Sequence, residues 1–233
     1  MKKFSVVVLV CCLLAGITAA VSAAELDFAG LADVVEQKLA GIEDVRMIVE
    51  LDLVQQGQPT SIVMNVKSSK SHQLTRVELL APDVVAGQIM VIDLENNEMK
   101  MYMPVLNQII VQPLANSAAG LGFNLEFTDL TQTLNLQGLS GEIKEVTAVE
   151  AGLEYLVVIN DLGDQLPFMQ GIDVDPQELV QYIWIDAEYI PYRVEGYQGT
   201  ALLGKLVLTE YEFNSGIAVD ELLEMPDVPV LQF

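Results

Sequence analysis

From position 46 onward the chain alternates. Met47, Val49, Leu51 and Leu53 fall on one parity and Arg46, Glu50 and Asp52 on the other, the period-two pattern of a strand with one wet face. Gly57-Gln58-Pro59 predicts a turn, after which Ile62, Met64 and Val66 alternate with Ser61, Asn65 and Lys67. A third strand is expected from Leu74 to Leu80, stopping at Pro82, and a fourth from Gln88 to Leu94, closed by Glu95-Asn96-Asn97. In the fifth, Met99, Met101 and Met103 share a face with Lys100 and Tyr102 opposite. Pro104 breaks it, and Gln108 to Gln112 resumes the extended run.

The stretch Leu114 to Gly122 is small and Gly-rich and predicts a mobile loop, followed by a short helix or turn at Phe127 to Leu130 that crosses the sheet. Alternation then returns in Ile143 to Ala148 and Leu153 to Asn160 around the turn Glu150-Ala151-Gly152. Asp161 to Asp175 reads as loop, and Asp175-Pro176-Gln177-Glu178 has the cap, proline and acid order of a short helix start. Tyr182 to Asp186, Pro191 to Tyr197 and Lys205 to Phe213 complete the set. One earlier segment has a different period. Over Phe28 to Ile42, apolar residues at 31, 34, 35, 39 and 42 recur in steps of three and four, which predicts a helix. About ten or eleven short strands at a spacing of roughly ten residues predict one antiparallel sheet, curved or closed, in a mainly β fold with a few helices. No Pro- or Ser-rich linker divides it, so residues 24–233 are read as a single domain.

The N-terminus has another character. Lys2 and Lys3 precede an uncharged run, apolar from Val6 to Leu14 and small-residue from Ala19 to Ala24. That is the layout of a secretory signal, here residues 1–23, and its apolar part is short for a membrane span. Both cysteines, Cys11 and Cys12, fall within it, so the exported chain has no thiol chemistry and no disulfide. Export predicts a periplasmic or other extracytoplasmic location.

Charge narrows the function classes. The 233 residues carry 11 Lys and Arg against 33 Asp and Glu, for a formal charge of −22. Such a chain lacks the basic footprint of a nucleic-acid binder and repels anionic lipid surfaces. Its 52% apolar content nevertheless provides for a core.

Catalytic chemistry is sparse. His72 is the sole histidine and lies in a polar hairpin segment, so neither a zinc site nor a nucleophile–histidine pair can be assembled around it. Gly199 to Lys205 imitates the start of a phosphate-binding loop, but Leu206 stands where Ser or Thr is needed and a strand pattern follows. Asp161 with Asp164, and Asp173, Asp175 with Glu178, lack calcium-loop spacing. A single Trp argues against a carbohydrate platform. No catalytic residue, metal site or cofactor is therefore assigned, and the protein is not read as an enzyme.

The methionines carry more information. Six of nine lie in the first five strands, and thioether side chains re-pack readily around guests of varied shape. Ordinary core filling is one reading of this pattern, and a deformable wall around a lipid is the other. The candidate cavity-facing residues are Met47, Val49, Leu51, Ile62, Met64, Val66, Met90, Ile92, Met99, Met101 and Met103.

Several motifs in order carry a resemblance. The turn at Asn96-Asn97 leads into Met101-Tyr102-Met103-Pro104, Leu74-Thr75-Arg76-Val77 runs to Pro82, Trp184-Ile185-Asp186 precedes Ile190-Pro191-Tyr192-Arg193-Val194-Glu195, and Leu222-Leu223-Glu224-Met225-Pro226 closes the chain. In this order the sequence resembles the bacterial lipoprotein-sorting (LolA-like) carriers over most of Phe28 to Pro229. The resemblance implies an open half-barrel with an apolar concave face covered by helices. It further implies a monomer that carries lipid or acylated protein between membrane-bound donor and acceptor proteins. A non-transporting envelope sensor or regulatory module on the same scaffold is the alternative.

Overall fold

The computed structural model describes residues 26–55, 58–114, 134–161 and 178–232. The expected signal segment, the turn residue Gly57, most of the Gly-rich loop, the segment at 127–130 and the helix start before Glu178 lie outside these residues. All the described strands join one sheet. In chain order the elements are α1 (Phe28–Ala40), β1 (Asp44–Gln55), β2 (Gln58–Ser69), β3 (Leu74–Ala81), β4 (Ile89–Asp93), β5 (Glu98–Met103) and β6 (Gln108–Pro113). They continue with β7 (Ser140–Val149), β8 (Gly152–Asp161), β9 (Leu179–Ile185), β10 (Pro191–Gln198), β11 (Ala201–Phe213), α2 (Val219–Leu223) and β12 (Val230–Gln232). Across the sheet the order is β12, β6, β5, β4, β3, β2, β1, β11, β10, β9, β8, β7. The two halves are each meanders, and they meet where β1 pairs antiparallel with β11. β12 and β7 end the order without pairing to each other, so the sheet is open.

The alternation marks its strands to within a few residues at most ends. Three features differ from expectation. The strand count is twelve because β12, three exposed residues long, pairs onto β6; so short a segment has no period to detect. That pairing is parallel, so the sheet is not wholly antiparallel. A five-residue helix, α2, precedes it with no side-chain cap, and without a cap or a full amphipathic repeat it left no signature. The phosphate-loop imitation resolves as expected: Gly199 and Thr200 form the turn between β10 and β11.

α1 begins at Asp27, whose carboxylate accepts from the Gly30 N–H at 2.8 Å, the usual N-cap contact. Its buried stripe Leu31, Ala32, Val35 and Leu39 enters the main apolar cluster. Phe28 lies over β7 at Gly141, Asp33 accepts from Gln137 Nε2 at 2.8 Å, and Lys38 meets Glu188 in the turn before β10 at 3.4 Å. The helix therefore crosses the half of the sheet from β7 to β1, into which it leads. At 13 residues it is about 20 Å long, whereas twelve strands extend over about 53 Å. α1 alone cannot cover the sheet.

Candidate functional site

Pairing register fixes which side chains share a face. Met47, Val66, Val77, Met90, Met101 and Ile110 are successive cross-strand partners from β1 to β6. A second row runs the other way: Ile62, Leu51, Leu206, Val194, Ile183, Val157 and Ile143 oppose one another from β2 through β1 to β7. Between them Leu79, Met64, Val49 and Leu208 form a third. This is the face that α1 packs on, because the helix and these rows, Ile110 apart, belong to one apolar cluster.

All eleven candidate residues share this face by register, but their surroundings divide them. Met47, Val49, Leu51, Ile62, Met64, Val66 and Met90 are buried members of the main cluster. Ile92 and Met99 are buried too, yet belong to no apolar cluster among the described residues. Their row contains Val45, Ser68, Thr75 and Gln112, and the Ser68 and Thr75 hydroxyls share a hydrogen bond of 2.8 Å. Met101 and Met103 are only half-buried, as are Leu79 and Ile110 beside them. Leu79 and Met101 pack against the main cluster and Met103 stands opposite Gln108; the four make a half-buried corner at the β3 to β6 end, outside the half that α1 crosses.

The second-half row, Leu206, Val194, Ile183, Val157 and Ile143, completes the face and was not among the sequence candidates. Its signal was available in the same alternation. β7 to β11 contain no methionine, so the feature that marks β1 to β5 is missing there.

The opposite face differs in kind. Over β3 and β4 it is closed by the C-terminal segment: Ile217 and Leu222 are buried against Leu74, Ile89 and Val91, with Tyr102, Val219 and Met225 at the rim. Asp44 anchors this segment by accepting from Ser215 N–H at 2.8 Å and Gly216 N–H at 3.0 Å. Gly216 has φ +75°, a turn conformation that suits glycine. Over β7 to β10 the same face carries Trp184 under the Arg193 guanidinium at 4.2 Å and Tyr182 under Lys144 at 4.9 Å. Glu195, buried there, accepts from Arg193 and from the Tyr197 hydroxyl, the latter at 2.8 Å, so its charge is satisfied.

Glu221 of α2 is a strongly perturbed acid. Hydrogen bonds from Arg46 and Lys67 hold its carboxyl down to about 2. A depressed acid stabilises the fold fully above its unfolded value near 4.5 and ceases to do so as pH falls through its folded value. The melting temperature of the wild type should therefore exceed that of Glu221→Gln at pH 7. The gap should narrow below about 4.5 and vanish near 2. A gap that ignores pH would show that the carboxylate charge is not what holds α2.

On the apolar side Tyr155 and Tyr211 are raised by burial. For Tyr211 burial acts first and the hydrogen bond to Asp186 second, and for Tyr155 burial is joined by the neighbouring Tyr189. Both shifts favour the neutral phenol, so these two add no charge to the face. Among the described residues, no group of three or more His, Cys, Asp or Glu could hold a metal ion, and no helix is long and apolar enough to cross a membrane.

No family model matches the chain, and no curated protein is similar to it in sequence. Solved structures do share its architecture. An uncharacterized conserved protein from Thermus thermophilus superposes with a TM-score of 0.53 at 16% identity, covering 88% of this chain and 98% of that one. The lipoprotein LppX of Mycobacterium tuberculosis gives 0.52 at 12%, covering 83% and 100%. A putative outer membrane lipoprotein-sorting protein domain from Vibrio parahaemolyticus gives 0.42 at 14%, covering 82% and 95%. At these identities the likeness to the Thermus protein and to LppX is one of fold alone.

Proposed function

We propose that the protein is an extracytoplasmic, non-enzymatic carrier that holds the acyl chains of a lipid or lipoprotein against the apolar face of its sheet. The observation that carries this reading is the half-buried corner of Leu79, Met101, Met103 and Ile110. It continues an apolar surface crossing eleven strands, on the face where α1 reaches only half the sheet. The contacting wall is the candidate set, with Met101 and Met103 at the entrance and Met47, Met64 and Met90 deeper.

Energetics suit a carrier. Each methylene leaving water contributes about 0.8 kcal/mol, so about ten of them give roughly 8 kcal/mol gross, near micromolar binding before costs. Opening the wall and ordering the chain offset part of this and leave an affinity that a partner can overcome. Methionine contacts discriminate weakly by shape, which fits cargo of mixed chain length. The acidic surface disfavours adhesion to anionic membranes, consistent with a monomer passing cargo between membrane-bound donor and acceptor proteins.

The test is uptake and transfer. Delipidated mature protein should bind a fluorescent fatty acid saturably and release it to acceptor vesicles. Absence of uptake by demonstrably folded protein contradicts the reading, and uptake without transfer points instead to a sensor module on the same scaffold.

A further inference from the structure

On the face opposite the apolar wall, three cations stand directly abreast. Arg46 of β1 opposes Lys67 of β2, and Lys67 opposes Arg76 of β3. Like charges in directly opposed positions are destabilising, and this chain has three times as many acids as bases. A row of that kind needs anions close by. Glu221 supplies one. Its Oε1 accepts from Arg46 Nη2 at 2.8 Å, while Oε2 accepts from Arg46 Nη1 and from Lys67 Nζ, the latter at 2.9 Å. Both oxygens are thereby occupied, and neither serves Arg76.

Arg76 is unusually placed. It is only 7% exposed, and one amine donates to Glu78 at 3.3 Å. Its other amine, Nη1, is buried with no hydrogen-bond partner among the described residues. A guanidinium needs its donors satisfied when buried, so an open one is costly. The row opens to solvent at its other members: the side chains of Arg46, Lys67 and Glu221 are 28%, 23% and 33% exposed.

The geometry points to an anion-binding site at Arg46, Lys67 and Arg76, in which Glu221 is a resident carboxylate and a phosphoryl group is the ligand that displaces it. Glu221 serves Arg46 and Lys67, Glu212 stands opposite Arg46 and Glu78 takes one amine of Arg76, which leaves Arg76 Nη1 open. A phosphate monoester has three terminal oxygens and a charge of about −1.5 to −2 at neutral pH, so it can bridge Arg46 and Lys67 and still reach Arg76. Displacement asks only the Glu221 side chain to swing out to solvent, since Ile217 and Leu222 hold the backbone of this segment in place. The overall negative charge opposes such a ligand weakly at physiological salt, where screening sets in over about 8 Å. The site lies across the sheet from the acyl wall and does not depend on that reading.

Titration calorimetry separates the outcomes, with inorganic phosphate as one probe and phosphatidylcholine vesicles with and without phosphatidic acid as the other. Glu221→Gln, which removes the competing charge, should bind about tenfold more tightly than wild type, and Arg76→Gln about tenfold more weakly, the size of one hydrogen bond to a charged group. Enhanced binding of inorganic phosphate by Glu221→Gln supports the site and assigns a soluble phosphate. Enhancement seen only with phosphatidic acid vesicles supports it and assigns a lipid headgroup. If folded Glu221→Gln binds neither probe more tightly than wild type, the proposal is overturned, whether or not Arg76→Gln folds. Equal binding by wild type and folded Arg76→Gln overturns it as well.

Discussion

Met101→Asp is expected to weaken fatty-acid binding by at least about a hundredfold while leaving the protein folded. Met101 sits in the half-buried corner, opposed by Met90 and Ile110. With water on one side, a carboxylate there can stay hydrated in the empty protein. A bound chain would remove that water, and desolvating one unpaired charge costs several kcal/mol, of which about 3 correspond to the hundredfold loss. Met64→Asp is the contrasting case. Met64 is 4% exposed between Val49 and Leu79, so its carboxylate would be desolvated with or without cargo, and loss of folding should dominate. Fluorescent fatty-acid titration together with thermal melts reads both effects. Normal binding by folded Met101→Asp would remove that corner from the cargo path.

The largest stability effect from a single added methyl is expected at Gly141. A Cβ there would stand 2.5 Å from Ile159 Cδ1 and 2.8 Å from both Phe28 Cε2 and the Val158 carbonyl oxygen. The Ile159 tip can swing aside, but the carbonyl belongs to the paired strand β8 and cannot move without disturbing the β7 and β8 ladder. Overpacking of this kind costs about 1–3 kcal/mol, a melting-point drop of roughly 2–12 °C for a domain of this size. Phe28 opens α1, so Gly141→Ala should also loosen the helix over the sheet. Hydrogen exchange of α1 amides faster than in wild type, alongside the lower melting point, is the expected pattern. An unchanged melt would mean that β7 shifts freely, and with it the seat of α1.

Strand content was legible because one face of the sheet is wet. Charges at Arg46, Glu50 and Asp52 mark one side of β1 as clearly as Met47, Val49 and Leu51 mark the other, and a half-buried strand cannot hide its period. Pairing across the chain was not legible in the same way. That β1 joins β11, and so merges two meanders into a continuous apolar face, depends on contacts across more than 150 positions, which no local pattern encodes. The cation row escaped for a related reason. Arg46, Lys67 and Arg76 are ordinary wet-side residues until register sets them abreast and α2 brings Glu221 across two of them. Parity grouped the eleven candidates, six of them methionines, within each strand, and register aligned those groups on a common face. Parity could not tell the packed centre at Met64 from the half-open corner at Met101.

Native mass spectrometry of the mature protein, purified from the cell envelope without detergent, tests the carrier reading most directly. A population heavier by the mass of one acyl lipid, lost on delipidation and missing from Met101→Asp, is the predicted result. A single mass equal to the bare polypeptide, from protein that also refuses added fatty acid, would contradict it.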